Sequence, residues 1–374
     1  MSFLMDTYKR LPVSFVYGKG VYLYDDKGKA YLDLVGGVAV NVLGHSDEDL
    51  INALCEQTRK LWHVSNLYQN PWQEEVAKLL VERFWTSAKV FFCNSGAEAN
   101  EGAIKLVRRF FWEKGEKRYR IITFKNGFHG RTFGAMSATA QEKIHTGFEP
   151  LLEGFDYAEF NNIESVKRLL KKETAGIMLE VIQGEGGINE ADVEFLQEVQ
   201  QICKREGILL IVDEVQTGVG RTGRFYAYEH YGIEPDIITL AKGLGGGFPI
   251  GCVLAKEEIA QAFKPGSHGS TFGGNPLACA CAKVVIEKVS KLLDHVEQVG
   301  QYFKERLSTF GKVKGKGLML GLERNENCQE VVLKALERGL LINCTSERVI
   351  RFVPPLIIQK QHVDFAIDIL KDIL

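Results

Sequence analysis

Asp213 closes the apolar run Ile208-Leu209-Leu210-Ile211-Val212, and Lys242, 29 positions later, follows Ile237-Ile238-Thr239-Leu240 by one residue. A carboxylate at the end of a buried run is costly without a cation partner. A lysine amine drawn into an apolar setting holds its proton less firmly and becomes nucleophilic. A third feature, Asn94-Ser95-Gly96-Ala97-Glu98, follows the run 90–93 and opens a helix. The N–H groups and positive dipole of a helix N-terminus suit a phosphate. Each feature also has a plain alternative. Ser95 with Glu98 three residues on is a capping box, and a lone lysine is ordinarily solvated. Taken together, a phosphate cradle, a Schiff-base amine and a carboxylate for a pyridinium nitrogen are what pyridoxal 5'-phosphate requires.

Other motifs carry less. Gly218-Val219-Gly220-Arg221-Thr222-Gly223 spells G-x-G-x-x-G. A dinucleotide loop follows its strand directly and opens a helix, whereas here 213–217 intervene and Arg224-Phe225-Tyr226 follows. His129 and His268 stand beside glycines without ligand-spaced partners, so no metal site is expected.

The elements that must position these residues alternate. Apolar runs at 90–93, 121–124, 177–182, 208–212, 237–240 and 251–255 read as strands, and helices are expected from 97 and over about 192–206. That alternation predicts an α/β core with a largely parallel sheet, whose ligands sit at the carboxyl ends of the strands. Two helices over 276–307, strand-like pieces at 317–322, 340–343 and 349–353, and a last helix from Gln361 read as α+β. The expected division is 1–44 as an N-terminal segment packing with the small domain, 45–255 as the large cofactor domain and 256–374 as the C-terminal small domain.

The 374 residues are 45% hydrophobic and 25% charged, the balance of a globular chain able to bury a large core. A formal net charge of −2 argues against bulk nucleic-acid binding. No apolar run approaches the ~20 residues of a membrane helix. The opening MSFLMDTYKR lacks the apolar stretch of a signal peptide. The eight cysteines are scattered without metal spacing and are expected to be reduced thiols in a cytoplasmic protein.

Several motifs in order, from Gly18-Lys19-Gly20 to Arg351-Phe352-Val353-Pro354, resemble the class III (subgroup II) aminotransferases of pyridoxal-phosphate fold type I, and within them the acetylornithine aminotransferases. The stretches that carry the likeness are 94–101, Phe128-His129-Gly130-Arg131-Thr132, Gln183-Gly184-Glu185-Gly186-Gly187, Asp213-Glu214-Val215-Gln216, Ala241-Lys242-Gly243 and 268–276. The resemblance implies a large domain with a mainly parallel seven-stranded sheet and a smaller α+β domain. It implies Lys242 as the Schiff-base lysine that also moves the proton, and Asp213 as the partner of the pyridine nitrogen. Phe128 would stack on the ring, Gly96 and Ala97 would give N–H groups to the phosphate, and Gln216 would lie near the 3-hydroxyl. Glu214 and Val215 join the cofactor-binding set. Thr271 would reach the phosphate of a neighbouring subunit, implying a homodimer with shared sites.

For substrates, the resemblance implies Arg131 on the α-carboxylate of acetylornithine, Ser270 near that substrate, and Arg351 on the α-carboxylate of glutamate. Glu185 would pair with Arg351 for the ω-amine donor and release it for glutamate. The implied reaction is ping-pong: N2-acetylornithine and 2-oxoglutarate give N-acetylglutamate 5-semialdehyde and glutamate, a step of arginine biosynthesis. Ornithine and 4-aminobutyrate aminotransferases share many of these motifs, and Tyr8 falls near a tyrosine that ornithine enzymes use. Succinylornithine and diaminopimelate donors stay open too. An aminomutase or decarboxylase on this fold, or a non-catalytic descendant, is the alternative from another class.

Overall fold

The computed structural model describes residues 3–374; the first two residues of the segment 1–44 lie outside them. Seven strands form the central sheet in the order Ala88–Cys93, Gly251–Lys256, Ile237–Leu240, Leu209–Asp213, Thr174–Leu179, Arg120–Phe124, Phe155–Ala158. Only Gly251–Lys256 runs antiparallel to its neighbours. Ala88–Cys93 pairs with that strand alone, and the remaining five pair in parallel, so the carboxyl ends of all six open on one edge.

Burial on both faces explains the apolar runs: every residue of Leu209–Asp213 and Ile237–Leu240 is buried. The helix Gly96–Glu113 lays Ala99, Ala103, Ile104, Val107 and Phe111 against the sheet, the expected stripe. The helix Val193–Glu206 ends at Gly207, whose φ of 61° suits a left-handed cap.

A four-stranded antiparallel sheet, Val313–Lys316, Met319–Glu323, Val349–Phe352 and Asn343–Thr345, forms the C-terminal part. The helices Pro276–Val289 and Leu293–Leu307 precede it and Lys360–Ile373 closes the chain. A second four-stranded sheet joins three N-terminal strands to Leu340–Leu341, which pairs in parallel with Ala30–Asp33.

Three expectations need correction. The run 177–182 is not one strand. It ends at Leu179, and a separate hairpin pairs Ile182–Gln183 with Asn189–Glu190, because the buried Glu180 carboxylate binds the backbone of Phe128 and Gly184 and turns the chain. The piece 340–343 divides between two sheets. Cys328 and Cys344 are not reduced thiols: their Cα atoms lie 5.6 Å apart and they form a disulfide, while the other six cysteines are free. Sixteen residues of sequence hide a pair that only the folded chain brings together. No described helix is long and apolar enough to cross a membrane.

The G-x-G-x-x-G run has a structural use. Arg221, 1% exposed, donates from Nη1 to the carbonyls of Leu318 at 2.9 Å and Pro354 at 2.5 Å, so the loop ties the central sheet's following segment to the C-terminal part.

Candidate active site

A cavity of about 410 Å³ opens at the carboxyl ends of the central strands. Asp213 comes from the end of its strand, Lys242 from the turn after Ile237–Leu240, and Gly96 and Ala97 from the first turn of the helix Gly96–Glu113. Phe128, Arg131, Val215 and Gln216 line the same space. The open edge of the sheet thus gathers residues from distant parts of the chain, as expected for this topology.

The cap and the phosphate cradle coexist. Ser95 Oγ accepts from Glu98 N at 3.2 Å, and Glu98 Oε2 accepts from Asn94 N at 2.6 Å. Among the described residues nothing accepts from the N–H groups of Gly96 and Ala97, which face the cavity. An anion there meets two free donors at the positive end of an 18-residue helix. Gly96 has no room for a side chain, since a Cβ would sit 2.6 Å from Val215 Cγ1.

Asp213 is 3% exposed. Its Oδ2 accepts from Asn100 Nδ2 and from His129 Nδ1, both at 2.8 Å, and its Oδ1 accepts from Val215 N at 3.0 Å. Asn100 also donates to His129 O at 2.6 Å and accepts from Thr239 Oγ1 at 2.7 Å. Burial works against a charged His129 ring, but the hydrogen bond and charge of Asp213, with Glu180 beyond, win and raise its pKa. Glu180 is pushed up to about 7, chiefly by burial. Asn100, His129 and Glu180 were not among the expected site residues. No spacing marks them, because each is assigned only by what it touches.

Lys242 is half-buried and enters no ion pair among the described residues. Burial pushes its ammonium below the ordinary lysine range; Arg351 adds to this while Glu185 and Asp213 oppose it. Its φ of 43° is a left-handed conformation that a lysine rarely adopts, a strain often found where a side chain must be aimed.

Glu185 and Arg351 meet beside this cavity. Arg351 Nη1 donates to Glu185 Oε1 at 2.5 Å and to Gln216 Oε1 at 3.3 Å. Arg351 is 2% exposed and Glu185 32% by side chain, so the acid is the freer partner. Burial opposes the Glu185 charge, but Arg351 and Lys242 hold its pKa below the usual range. Arg131 is exposed at the cavity mouth, its guanidinium carbon 5.7 Å from the centre of the Phe128 ring.

Not every expected residue faces the cavity. Glu214 is turned into the interior, where Oε1 accepts from Tyr228 N and Oε2 from Thr217 Oγ1, both at 2.8 Å. Its carboxylate braces the turn after the strand and does not line the cavity. Ser270 lies off the wall, its Oγ accepting from Asn94 Nδ2 at 3.1 Å and from Gly273 N at 3.0 Å. Thr271 is exposed on the surface, as is Tyr8.

The arrangement fits pyridoxal phosphate: free N–H groups for an anion, a carboxylate for a ring cation, Phe128 and Val215 for the ring, and an unpaired amine. The family model for class-III aminotransferases matches residues 4–374. Over 376 residues, the whole of both chains, this protein is 62% identical to the acetylornithine aminotransferase of Aquifex aeolicus (strain VF5). It is 48% identical to the acetylornithine aminotransferase of Methanocaldococcus jannaschii, over 99% of this chain and 95% of that one. Among solved structures, the ornithine aminotransferase from Toxoplasma gondii ME49 superposes with a TM-score of 0.94 at 33% identity, covering 99% of this chain and 92% of the other. The N-acetylornithine aminotransferase from Stenotrophomonas maltophilia K279a gives 0.84 at 36% identity, covering 98% and 96%. Matched along its length by the family model and by relatives of this similarity, the chain belongs to the class-III aminotransferases.

Proposed function

We propose that this enzyme transfers an amino group from N2-acetylornithine to 2-oxoglutarate, giving N-acetylglutamate 5-semialdehyde and glutamate, as in arginine biosynthesis. The carrying observation is the Arg351–Glu185 pair beside Lys242: a buried arginine masked by an acid that is itself partly exposed. Two substrates bind in turn at one site, and only one presents a carboxylate at that end. A maskable cation lets the same pocket accept both.

Pyridoxal phosphate, when bound, supplies an electron sink and carries the amino group between the two substrates. Gly96 and Ala97 would donate to its phosphate, Phe128 and Val215 would pack against its ring, Gln216 would serve its hydroxyl, and Asp213 would hold the proton on its ring nitrogen. Lys242 Nζ would move the proton between the substrate Cα and the cofactor carbon that carries the amino group; the lowered pKa of its amine supports that role. Arg131 holds the α-carboxylate of acetylornithine while Glu185 stays on Arg351. In the glutamate half, Glu185 releases and Arg351 takes the substrate α-carboxylate.

A homodimer is part of the reading. Leu67, Tyr68 and Phe272 are exposed apolar side chains, and Asn66 Nδ2 bonds Ser270 O at 2.9 Å, joining the two loops that carry them. A second copy covering that face would bring Thr271 to the neighbouring phosphate. The three-part division 1–44, 45–255 and 256–374 is supported by the pairing of Ala30–Asp33 with Leu340–Leu341. For a cytoplasmic setting the six free thiols speak in favour and the Cys328–Cys344 disulfide against.

A single-turnover screen of the cofactor-loaded enzyme tests the reading. Acetylornithine should react fastest among acetylornithine, succinylornithine, ornithine and 4-aminobutyrate. A clear preference for ornithine or 4-aminobutyrate would overturn the substrate assignment, and full turnover by Lys242→Ala would overturn the mechanism.

A further inference from the structure

The strand Asn343–Thr345 is three residues long and runs antiparallel to Val349–Phe352, with Asn343 opposite Arg351 and Cys344 opposite Ile350. Side chains alternate faces along a strand, so Asn343 and Thr345 share the face of Arg351 and Cys344 takes the other. On the shared face Arg351 Nε donates to Asn343 Oδ1 at 3.2 Å. Two residues on, Thr345 Oγ1 donates to the backbone carbonyl of Glu185 at 2.7 Å. This short strand therefore grips both members of the ion pair, the arginine by its Nε and the acid by its main chain. On the reverse face the Cys328–Cys344 disulfide fastens the strand.

We propose that Asn343 and Thr345 are positioning residues that set how readily the Glu185–Arg351 pair opens, and so determine how the site divides its preference between glutamate and the acylated donor. The inference rests on the proposed function and deepens it. Asn343 presents a neutral oxygen to a buried guanidinium. It fixes the plane of the fork without neutralising its charge, which stays available to a substrate carboxylate once Glu185 leaves. A carboxylate at 343 would keep the geometry and add a permanent competing charge. Thr345 anchors Glu185 at its carbonyl, so the carboxylate exchanges by side-chain rotation and the loop need not move. Opening and closing then involve few degrees of freedom, which favours a well-defined pair of states.

The test uses the holoenzyme and its Asn343→Asp, Thr345→Val and Thr345→Ser variants. Steady-state kinetics are measured with glutamate, 2-oxoglutarate and acetylornithine, and the Kd of glutarate, a dicarboxylate without an amino group, is measured by calorimetry. Asn343→Asp should raise the KM of glutamate and 2-oxoglutarate and the Kd of glutarate about tenfold, with the KM of acetylornithine changed less than about twofold. Thr345→Val should act on the other side, lowering kcat/KM for acetylornithine about fivefold and tightening glutarate binding by a similar factor, because Glu185 masks Arg351 less well. Thr345→Ser should restore the wild-type ratio. A parallel fall for both substrates, an unchanged glutarate Kd in Asn343→Asp, or no rescue by serine overturns the inference. Failure of the wild-type enzyme on acetylornithine would sink the functional reading instead, and the glutarate measurement would still decide the roles of Asn343 and Thr345.

Discussion

His129 Nδ1 lies 2.8 Å from Asp213 Oδ2, with both side chains buried in the cavity wall. A carboxylate only accepts, so Nδ1 carries the proton and the imidazole is the group that orients the acid. Asn100 fixes the same oxygen from the other side. The residue proposed to face the cofactor ring is thus held by two side-chain donors from the same cavity wall.

Replacing that histidine tests the support. His129→Gln should weaken cofactor binding about tenfold, because a hydrogen bond to a charged group contributes about 1.5–3 kcal/mol. A fluorescence titration of the cofactor-free protein measures it. The pH dependence has a definite sign. The His129 pKa is raised in the folded protein, so its contribution is full below the unfolded value of about 6.5 and is lost as pH rises through the folded value. The Tm difference between wild type and His129→Gln should therefore narrow above about pH 6.5.

Glu214 gives the complementary pH test away from the chemistry. Burial pushes its carboxyl up to about 7, and it is 1% exposed. Between its unfolded pKa of about 4.3 and its folded value, the unfolded chain releases a proton that the native state keeps, so stability falls by up to about 3 kcal/mol as pH rises. Glu214→Gln has no such titration. Its Tm should gain on wild type between about pH 5 and pH 7 and stay level above; a constant difference across that range would contradict the assignment.

At Gly96 the prediction is steric. A Cβ there would press on Val215, which lines the cavity. Gly96→Ala should lower stability by about 1–3 kcal/mol through overpacking and weaken binding of pyridoxal phosphate more than tenfold. Chemical denaturation and cofactor titration separate the two effects.

The Cys328–Cys344 crosslink closes a loop of sequence separation 16. A loop of that size restrains the unfolded chain by about 3 kcal/mol. The double variant Cys328→Ser with Cys344→Ser should melt at lower temperature than wild type, and a reducing agent should lower the wild-type Tm towards it.

Much of this protein is written in its local sequence. Unbroken apolar runs such as 208–212 mark strands buried on both faces, and the period of Ala99, Ala103, Val107 and Phe111 marks the helix that lies on them. Because a parallel sheet opens at its carboxyl ends, the residues directly behind those runs, Asp213 and Lys242, are legible as site residues from one dimension. The resemblance of the motifs extended that reading to Phe128, Arg131, Glu185 and Arg351. Side-chain direction and long-range pairing are not local. Glu214, next to Asp213 in sequence, points into the interior, since consecutive residues at a strand end face opposite ways. Cys328 with Cys344, the grip of Asn343 on Arg351, and the His129–Asp213–Asn100 cluster depend on how separate segments register against one another. No single stretch of chain encodes that distance, so only the tertiary structure decides it.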